Sequence, residues 1–339
     1  MAGIFLTVKN IINGFIAAAM LIPILLTMGD AGDPSTPVEQ YPENTNPYIA
    51  EYLDPDIAAH RSGAGNAPQN TLMAFENIVE NTDCVDTLEF DVQVTKDGEL
   101  VLHHDLTYDG TSNATELFGK KNVYVSSLTL EEAMQLNMGE KFKGSGDYPY
   151  QGLRGDDIPY NLHIATCDGV MDYVEANSDR EYKYVIEVKS IGINGRKAVD
   201  KLYSIITERN LQDRVIWSTF APDVSAYMKS EYPEIARTAD AIEAVQFYFY
   251  FRMGWDLQDV SPSYTALQIP YGSSAFDNLI NLGTREMLNY AHGNDIAVQY
   301  WTINDEEEVE TLTINGADCI MTDYPEKTYD AVNSAANSK

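Results

Sequence analysis

The chain reads as an α/β protein: a single (β/α)8 TIM barrel preceded by an N-terminal transmembrane or signal helix. Three observations predict this. From residue 49 onward, short apolar runs alternate with amphipathic ones, the pattern of parallel strands joined by crossover helices. About eight such units in ~290 residues suit one barrel better than two domains. Finally, the chain opens on an uncharged stretch long enough to cross the ~30 Å hydrocarbon core as a helix.

That stretch runs from Asn10 to Gly29, with Lys9 the only charge before it and Asp30, Asp33, Glu39 and Glu43 following it. The positive-inside tendency then puts the N-terminus in the cytoplasm and the body outside. Residues 1–29 are expected to be a membrane anchor, leaving the body tethered and extracytoplasmic. The other expectation is a signal cut after Gly29-Asp30-Ala31, which would make the body secreted. Residues 30–48, rich in Pro, Asp, Asn and Ser, are expected to form a linker and not a packed element. The barrel domain spans 49–335.

Within it, strands are expected at 57–60, 87–94, 99–105, 182–189, 214–220, 264–270, 295–303 and 319–324, with another at 234–240. Helices are expected at 71–81, 129–136, 167–176, 195–210, 284–294 and 306–315. Thr129 with Glu132 three residues on is a capping box, and Pro222 suits the first turn of a further helix. Residues 138–161, rich in Gly, Asp and Tyr, read as a long excursion. Residues 245–256 (VQFYFYFRMGWD) read as a buried helix or strand, or as an apolar rim for a lipid-like group.

Composition excludes several classes. With 22 Lys and Arg against 52 Asp and Glu, the net charge is −30, which argues against nucleic acid and against adsorption to an anionic membrane. A hydrophobic content of 44% excludes a disordered chain. Cys84, Cys167 and Cys319 are too scattered for a disulfide framework or a thiolate zinc site.

The chemistry-bearing residues fall at strand ends, which in a barrel face the active site. His60-Arg61 ends the first strand: imidazole moves protons near neutral pH, and guanidinium clamps phosphate oxygens. Glu89 and Asp91, two apart on one strand, share a face. Two acids on an apolar strand need a cation or Arg to neutralise them, and oxygen-only ligands favour Mg²⁺ or Ca²⁺. Glu187 and Lys189 repeat the pattern and offer a third carboxylate and an ammonium. His103 and His104 are adjacent, so on a strand at most one shares a site with His60.

The segments HRSGAGNAPQNTLMAF, TLEFDVQVTKDGELVLHHD, VIEVK, YWTIN and GADCIMTDYP follow one another in the order found in the glycerophosphodiester phosphodiesterase family, which the chain resembles from about residue 57 to 325. The resemblance implies a barrel with a small insertion after the second strand. It assigns His60, Arg61 and His104 to catalysis, His104 rather than His103 being the family's second histidine. Glu89, Asp91 and Glu187 become ligands of a divalent cation, Mg²⁺ or Ca²⁺, and Arg61, Lys189 and Trp301 substrate contacts. The implied reaction is hydrolysis of glycerophosphodiesters to glycerol 3-phosphate and an alcohol. Three positions depart from the family pattern: Gln69 stands for an acid, Ser62 for a glycine and Gly110 for an arginine. The partners expected are a small phosphodiester or a lipid or wall-polymer substrate, with the membrane reached through the N-terminal helix and no nucleic acid. Rival readings are a related lysophospholipase D or phosphoinositide-type barrel, or a surface binding protein on a catalytically dead barrel.

Overall fold

The computed structural model describes residues 32–271 and 281–338. The expected anchor or signal, residues 1–29, lies outside the described residues. No described helix is long and apolar enough to cross a membrane.

Eight parallel strands form the barrel wall: β1 (Asp56–Ala59), β2 (Thr87–Val94), β4 (Lys183–Val188), β5 (Val215–Ser218), β6 (Ala236–Arg237), β7 (Ala266–Pro270), β8 (Ala297–Trp301) and β9 (Cys319–Thr322). The order is β6-β5-β4-β2-β1-β9-β8-β7. A parallel bridge between Thr238 and Ala266 joins the two ends, reinforced by Ala239 N–H donating to Ala266 O at 2.8 Å. The ninth strand, β3 (Leu100–Leu102), pairs antiparallel with β2 through a turn at Asp97-Gly98, where Gly98 takes φ +92. Main helices follow the strands: α1 (Leu72–Asn81), α2 (Cys167–Asn177), α3 (Gly192–Glu208), α4 (Pro222–Glu231), α5 (Ala241–Met253), α6 (Arg285–His292), α7 (Glu306–Asn315) and α8 (Pro325–Asn337).

Most expected elements appear within about three residues of their expected ends, and two differ further for physical reasons. The strand expected over 99–105 stops at Leu102, because Gln93 Nε2 donates to the carbonyls of His103, His104 and Asp105 and turns the chain. The helix expected over 129–136 is one turn, Leu130–Ala133, with its capping box in place. It belongs to the insertion between β3 and α2, which has its own core of Val101, Tyr108, Val123, Leu136, Met138 and Ile164. The aromatic run lies on α5, started at Ala241 by a capping box between Asp240 and Glu243.

The described part of the expected linker does not float. Residues 32–48 form a strap across the barrel's N-terminal end. Glu286 accepts from Asp33 N–H and the Thr36 hydroxyl, Asn289 accepts from Glu39 N–H, and Asn46 donates to the carbonyls of Thr265 and Asp295. Tyr48 plugs the barrel floor against Ala58, Val185, Ile216, Ala266, Ala297 and Cys319. Asn, Asp and Thr side chains satisfy the backbone of this irregular segment, so polarity here signals docking and not solvation.

These small inner residues set the phase of the site. Strand side chains alternate, so two residues beyond each inner-layer residue the chain again faces inward. Ala58 leads to His60, Val185 to Glu187 and Lys189, Ile216 to Ser218, Ala266 to Gln268, and Met321 to Asp323.

Candidate active site

At the C-terminal ends of the strands lies a cavity of about 140 Å³. All eight residues singled out in the sequence line it: His60, Arg61, Glu89, Asp91, His104, Glu187, Lys189 and Trp301. His103 does not. It is buried in the turn after β3, with its ring 4.8 Å from that of Tyr108 and Nε2 3.0 Å from Thr107 O.

The first turn after β1 is tightly held. His60 begins a 3-10 turn in which Arg61 takes φ +48 and Ser62 φ +62. That left-handed geometry explains why glycine suits position 62, since a Cβ there costs roughly 1–2 kcal/mol. Arg61 N–H donates to Glu89 Oε2 at 2.6 Å, and Arg61 Nη1 donates to Gln69 Oε1 at 2.5 Å. Asn70, at φ +55 and buried, donates to Asp91 Oδ2 at 2.9 Å and accepts from Asp91 N–H at 3.2 Å. Glycine is required at Gly65, where a Cβ would meet the Tyr324 ring at 2.3 Å; this close approach packs the β1 turn onto the chain beyond β9.

From beyond β9 comes Asp323, whose Oδ1 lies 2.8 Å from His60 Nδ1. Asn304 holds Asp323, donating to Oδ2 at 2.8 Å and accepting from its N–H at 2.9 Å. With Nδ1 engaged, the His60 tautomer and ring plane are fixed. Burial pulls the His60 imidazolium downward, but the Asp323 hydrogen bond and the charge of Glu89 outweigh it and leave its pKa raised. Burial lowers His104, and Lys189 and Arg61 lower it further, so its pKa stays below the ordinary value despite Asp91. Its Nδ1 lies 2.8 Å from Asp105 Oδ1.

Three carboxylates form the opposite wall, Glu89 and Asp91 buried and Glu187 half-buried. Asp91 and Glu187 are direct neighbours across the β2–β4 pair. Lys189 Nζ lies 3.3 Å from Asp91 Oδ1 and 2.7 Å from Glu187 Oε1, and Arg61 Nε lies 3.7 Å from Asp91 Oδ2. Burial opposes ionisation of Asp91, yet Lys189, His104 and Arg61 together hold it below the usual carboxylate range. Glu89 is pushed up to about 7, first by burial and then by the charge of Asp91. Burial also raises Glu187, against the pull of Lys189. The wall thus carries more acid than its two cations neutralise.

The chemistry of the donor set suits a hard cation, being all oxygen, largely buried and short of positive charge, although in this arrangement the side chains do not enclose one. Glu187 Oε1, although close to the Lys189 ammonium, has no directed hydrogen bond. Among the described residues, no three His, Cys, Asp or Glu side chains stand close enough to enclose an ion, with Lys189 Nζ between two of the acids.

The sequence reading did not assign Asp323, Asn70, Asn304, Ser218, Thr219 or Gln268 to the site. Asp323, Asn70 and Asn304 all sit inside the motifs it quoted. The signal for Asp323 was an acid two residues past an inner-layer Met321.

A barrel that gathers acids, imidazoles and fixed cations at this end is equipped to hold an anionic ester and move protons, which makes the chain a barrel hydrolase. Residues 60–327 match the Glycerophosphoryl diester phosphodiesterase family, and the chain belongs to that family. Among its relatives is a glycerophosphodiester phosphodiesterase of Caldanaerobacter subterraneus, 29% identical over 272 residues, covering 80% of this chain and 94% of that one. A lysophospholipase D of Mus musculus is 24% identical, covering 79% of each chain. A phosphodiesterase of Oleispira antarctica, solved with the product sn-glycerol-3-phosphate, superposes with a TM-score of 0.61 at 21% identity, covering 82% of this chain and 97% of that one. The chain is a phosphoric diester hydrolase of the glycerophosphodiester class.

Proposed function

We propose that the chain cleaves glycerophosphodiesters to glycerol 3-phosphate and an alcohol with His60, His104 and Arg61 as catalytic residues. Glu89, Asp91 and Glu187 would hold a divalent cation, Mg²⁺ or Ca²⁺. When bound, the cation draws charge from phosphorus and lowers the pKa of a hydroxyl beside it. The observation that carries this reading is the convergence of two imidazoles, one guanidinium and one ammonium on a cavity with an over-acidic wall.

Arg61 and Lys189 bind the non-bridging phosphate oxygens and stabilise the charge that builds up in the transition state. One imidazole accepts the nucleophile's proton and the other protonates the leaving alcohol. Asp323 and Asn304 hold His60 in the tautomer that presents Nε2. Trp301 supplies an apolar wall for the part of the substrate away from phosphorus.

The test is turnover of glycerophosphocholine. His60→Ala and His104→Ala should each lower kcat by at least ~10²-fold. Chelator should abolish turnover, and Mg²⁺ or Ca²⁺ should restore it. Glu89→Gln and Asp91→Asn should weaken cation binding measured directly by calorimetry. Near-normal kcat in either histidine variant removes that residue from the scheme, and full turnover in chelator removes the cation.

For location, the charge asymmetry about Asn10–Gly29 supports a body outside the cytoplasm, tethered to the membrane or released by cleavage. Protease accessibility of the body in intact cells tests this.

A further inference from the structure

The catalytic cavity is divided by charge. Its charged residues all come from β1, β2, β4 and the turns that follow β1, β3 and β4. The described lining residues contributed by β5 to β8, and by the turns after them, are uncharged. This second half is not simply apolar, since Ser218, Thr219, Thr238 and Gln268 all reach its surface. Two of these are engaged within the protein. Thr219 Oγ1 donates to Val188 O at 2.9 Å, and Gln268 Nε2 donates to Gln299 Oε1 at 2.9 Å.

Ser218 is not engaged. It is only 7% exposed, and its hydroxyl has no hydrogen-bond partner. It faces the cavity because it stands two residues past Ile216 of the inner layer. Burying a hydroxyl without a partner is costly, and alanine would fill the same place without that cost. The partner must then arrive from the cavity. A hydroxyl both donates and accepts, so another hydroxyl complements it fully, whereas a phosphate oxygen only accepts. Ser218 also stands directly opposite Glu187 across the β4–β5 pair. Paired strands lie ~4.8 Å apart, so this hydroxyl sits one strand beyond the carboxylate wall, on the uncharged side.

We propose that Ser218 Oγ hydrogen-bonds the terminal hydroxyl of the substrate's glycerol arm, and that this contact selects an unsubstituted glycerol. The proposal rests on the phosphodiesterase reading above and deepens it by naming a residue that reads the glycerol. With the phosphate on Arg61 and Lys189, the arm crosses from β4 to β5. Its inner hydroxyl stays at the carboxylate wall and its terminal hydroxyl reaches Ser218. An alcohol arm such as choline has no hydroxyl to offer there, so the uncharged half belongs to the glycerol.

The test compares glycerophosphocholine with 2-hydroxypropyl phosphocholine, which keeps the inner hydroxyl and lacks the terminal one. With the full-length protein, the first should exceed the second about tenfold or more in kcat/KM, because the analogue leaves a buried polar group unpaired. In Ser218→Ala, that ratio should fall to about twofold or less through a loss on glycerophosphocholine. The substitution removes a group with no partner in the protein, so denaturant unfolding should show equal or higher stability, and Mg²⁺ binding by calorimetry should be unchanged. An equal loss on both substrates, or weaker Mg²⁺ binding, would mean that Ser218 supports Glu187 and reads no substrate. A destabilised variant would mean that the hydroxyl serves the fold. Either result overturns the proposal, as does a ratio that is absent in the wild type or survives the substitution. In all these cases, turnover of glycerophosphocholine leaves the phosphodiesterase reading standing. No turnover of either substrate by the wild type overturns both.

Discussion

His60 and Asp323 are 263 residues apart in the chain and 2.8 Å apart in the fold. The carboxylate raises the His60 pKa, so removing its charge must lower it. In Asp323→Asn, the limb of the kcat/KM–pH profile set by His60 should therefore move toward acid. If His60 is the base, the ascending limb moves; if it is the acid, the descending limb moves, and so the experiment also assigns the role. The limb set by His104 should stay, because its downward shift comes from burial, Lys189 and Arg61. Two unmoved limbs would mean that His60 sets neither. Residues whose function follows from their own chemistry and strand phase, such as Glu89 with Asp91 or Glu187 with Lys189, are legible in the sequence. Those that act by touching another element are not, since nothing local announces the partner. Asn70 looks like a turn residue until its amide is found on Asp91, and Asp323 until its carboxylate is found on His60. Ser62 could be noted as an unusual residue in its motif, but only its φ of +62 says why.

At the scale of elements, β2 was readable end to end because all eight of its residues are buried. β6 falls inside the strand expected at 234–240 but keeps only its central two residues, because it is held mainly by its neighbours. The strap was misread as a spacer because its docking depends on carboxylates and amides presented by distant elements. Asp318, just before β9, shows how such ties work. Its buried carboxylate accepts from Ala50 N–H at 3.0 Å and Val298 N–H at 2.6 Å, and lies 2.9 Å from His292 Nε2. It thus ties the residue just after the strap, β8 and the end of α6 at the barrel's N-terminal face, remote from the cavity. Asp318→Ala leaves these buried groups unpaired and should cost about 3 kcal/mol of unfolding free energy, since a hydrogen bond to a charged group contributes ~1.5–3. Denaturant unfolding reads the loss. Below the unfolding transition, kcat should remain near wild type, because this face stabilises and does not catalyse. A fall in kcat without a fall in stability would show that the strap end is coupled to the site.

Over the whole molecule, the charge of −30 opposes the two cations in the cavity. Arg61 and Lys189 act at contact distance, inside a pocket where mobile ions screen them little. The remaining charge acts through solvent, where the Debye length is about 30 Å at 0.01 M salt and about 8 Å at 0.15 M. An anionic diester such as glycerophosphoglycerol must cross that repulsive field to reach the mouth, whereas zwitterionic glycerophosphocholine carries no net charge for the field to act on. Raising NaCl from 10 to 150 mM should therefore increase kcat/KM for glycerophosphoglycerol severalfold while leaving kcat nearly unchanged. The value for glycerophosphocholine should hardly move. Opposite behaviour, with the anionic substrate losing kcat/KM as salt rises, would mean that a positive funnel around the mouth dominates the approach. Equal insensitivity of both substrates would mean that encounter is not limited by long-range charge at all. The comparison separates what the cavity does at contact from what the rest of the chain does at a distance, which the net charge alone could not tell.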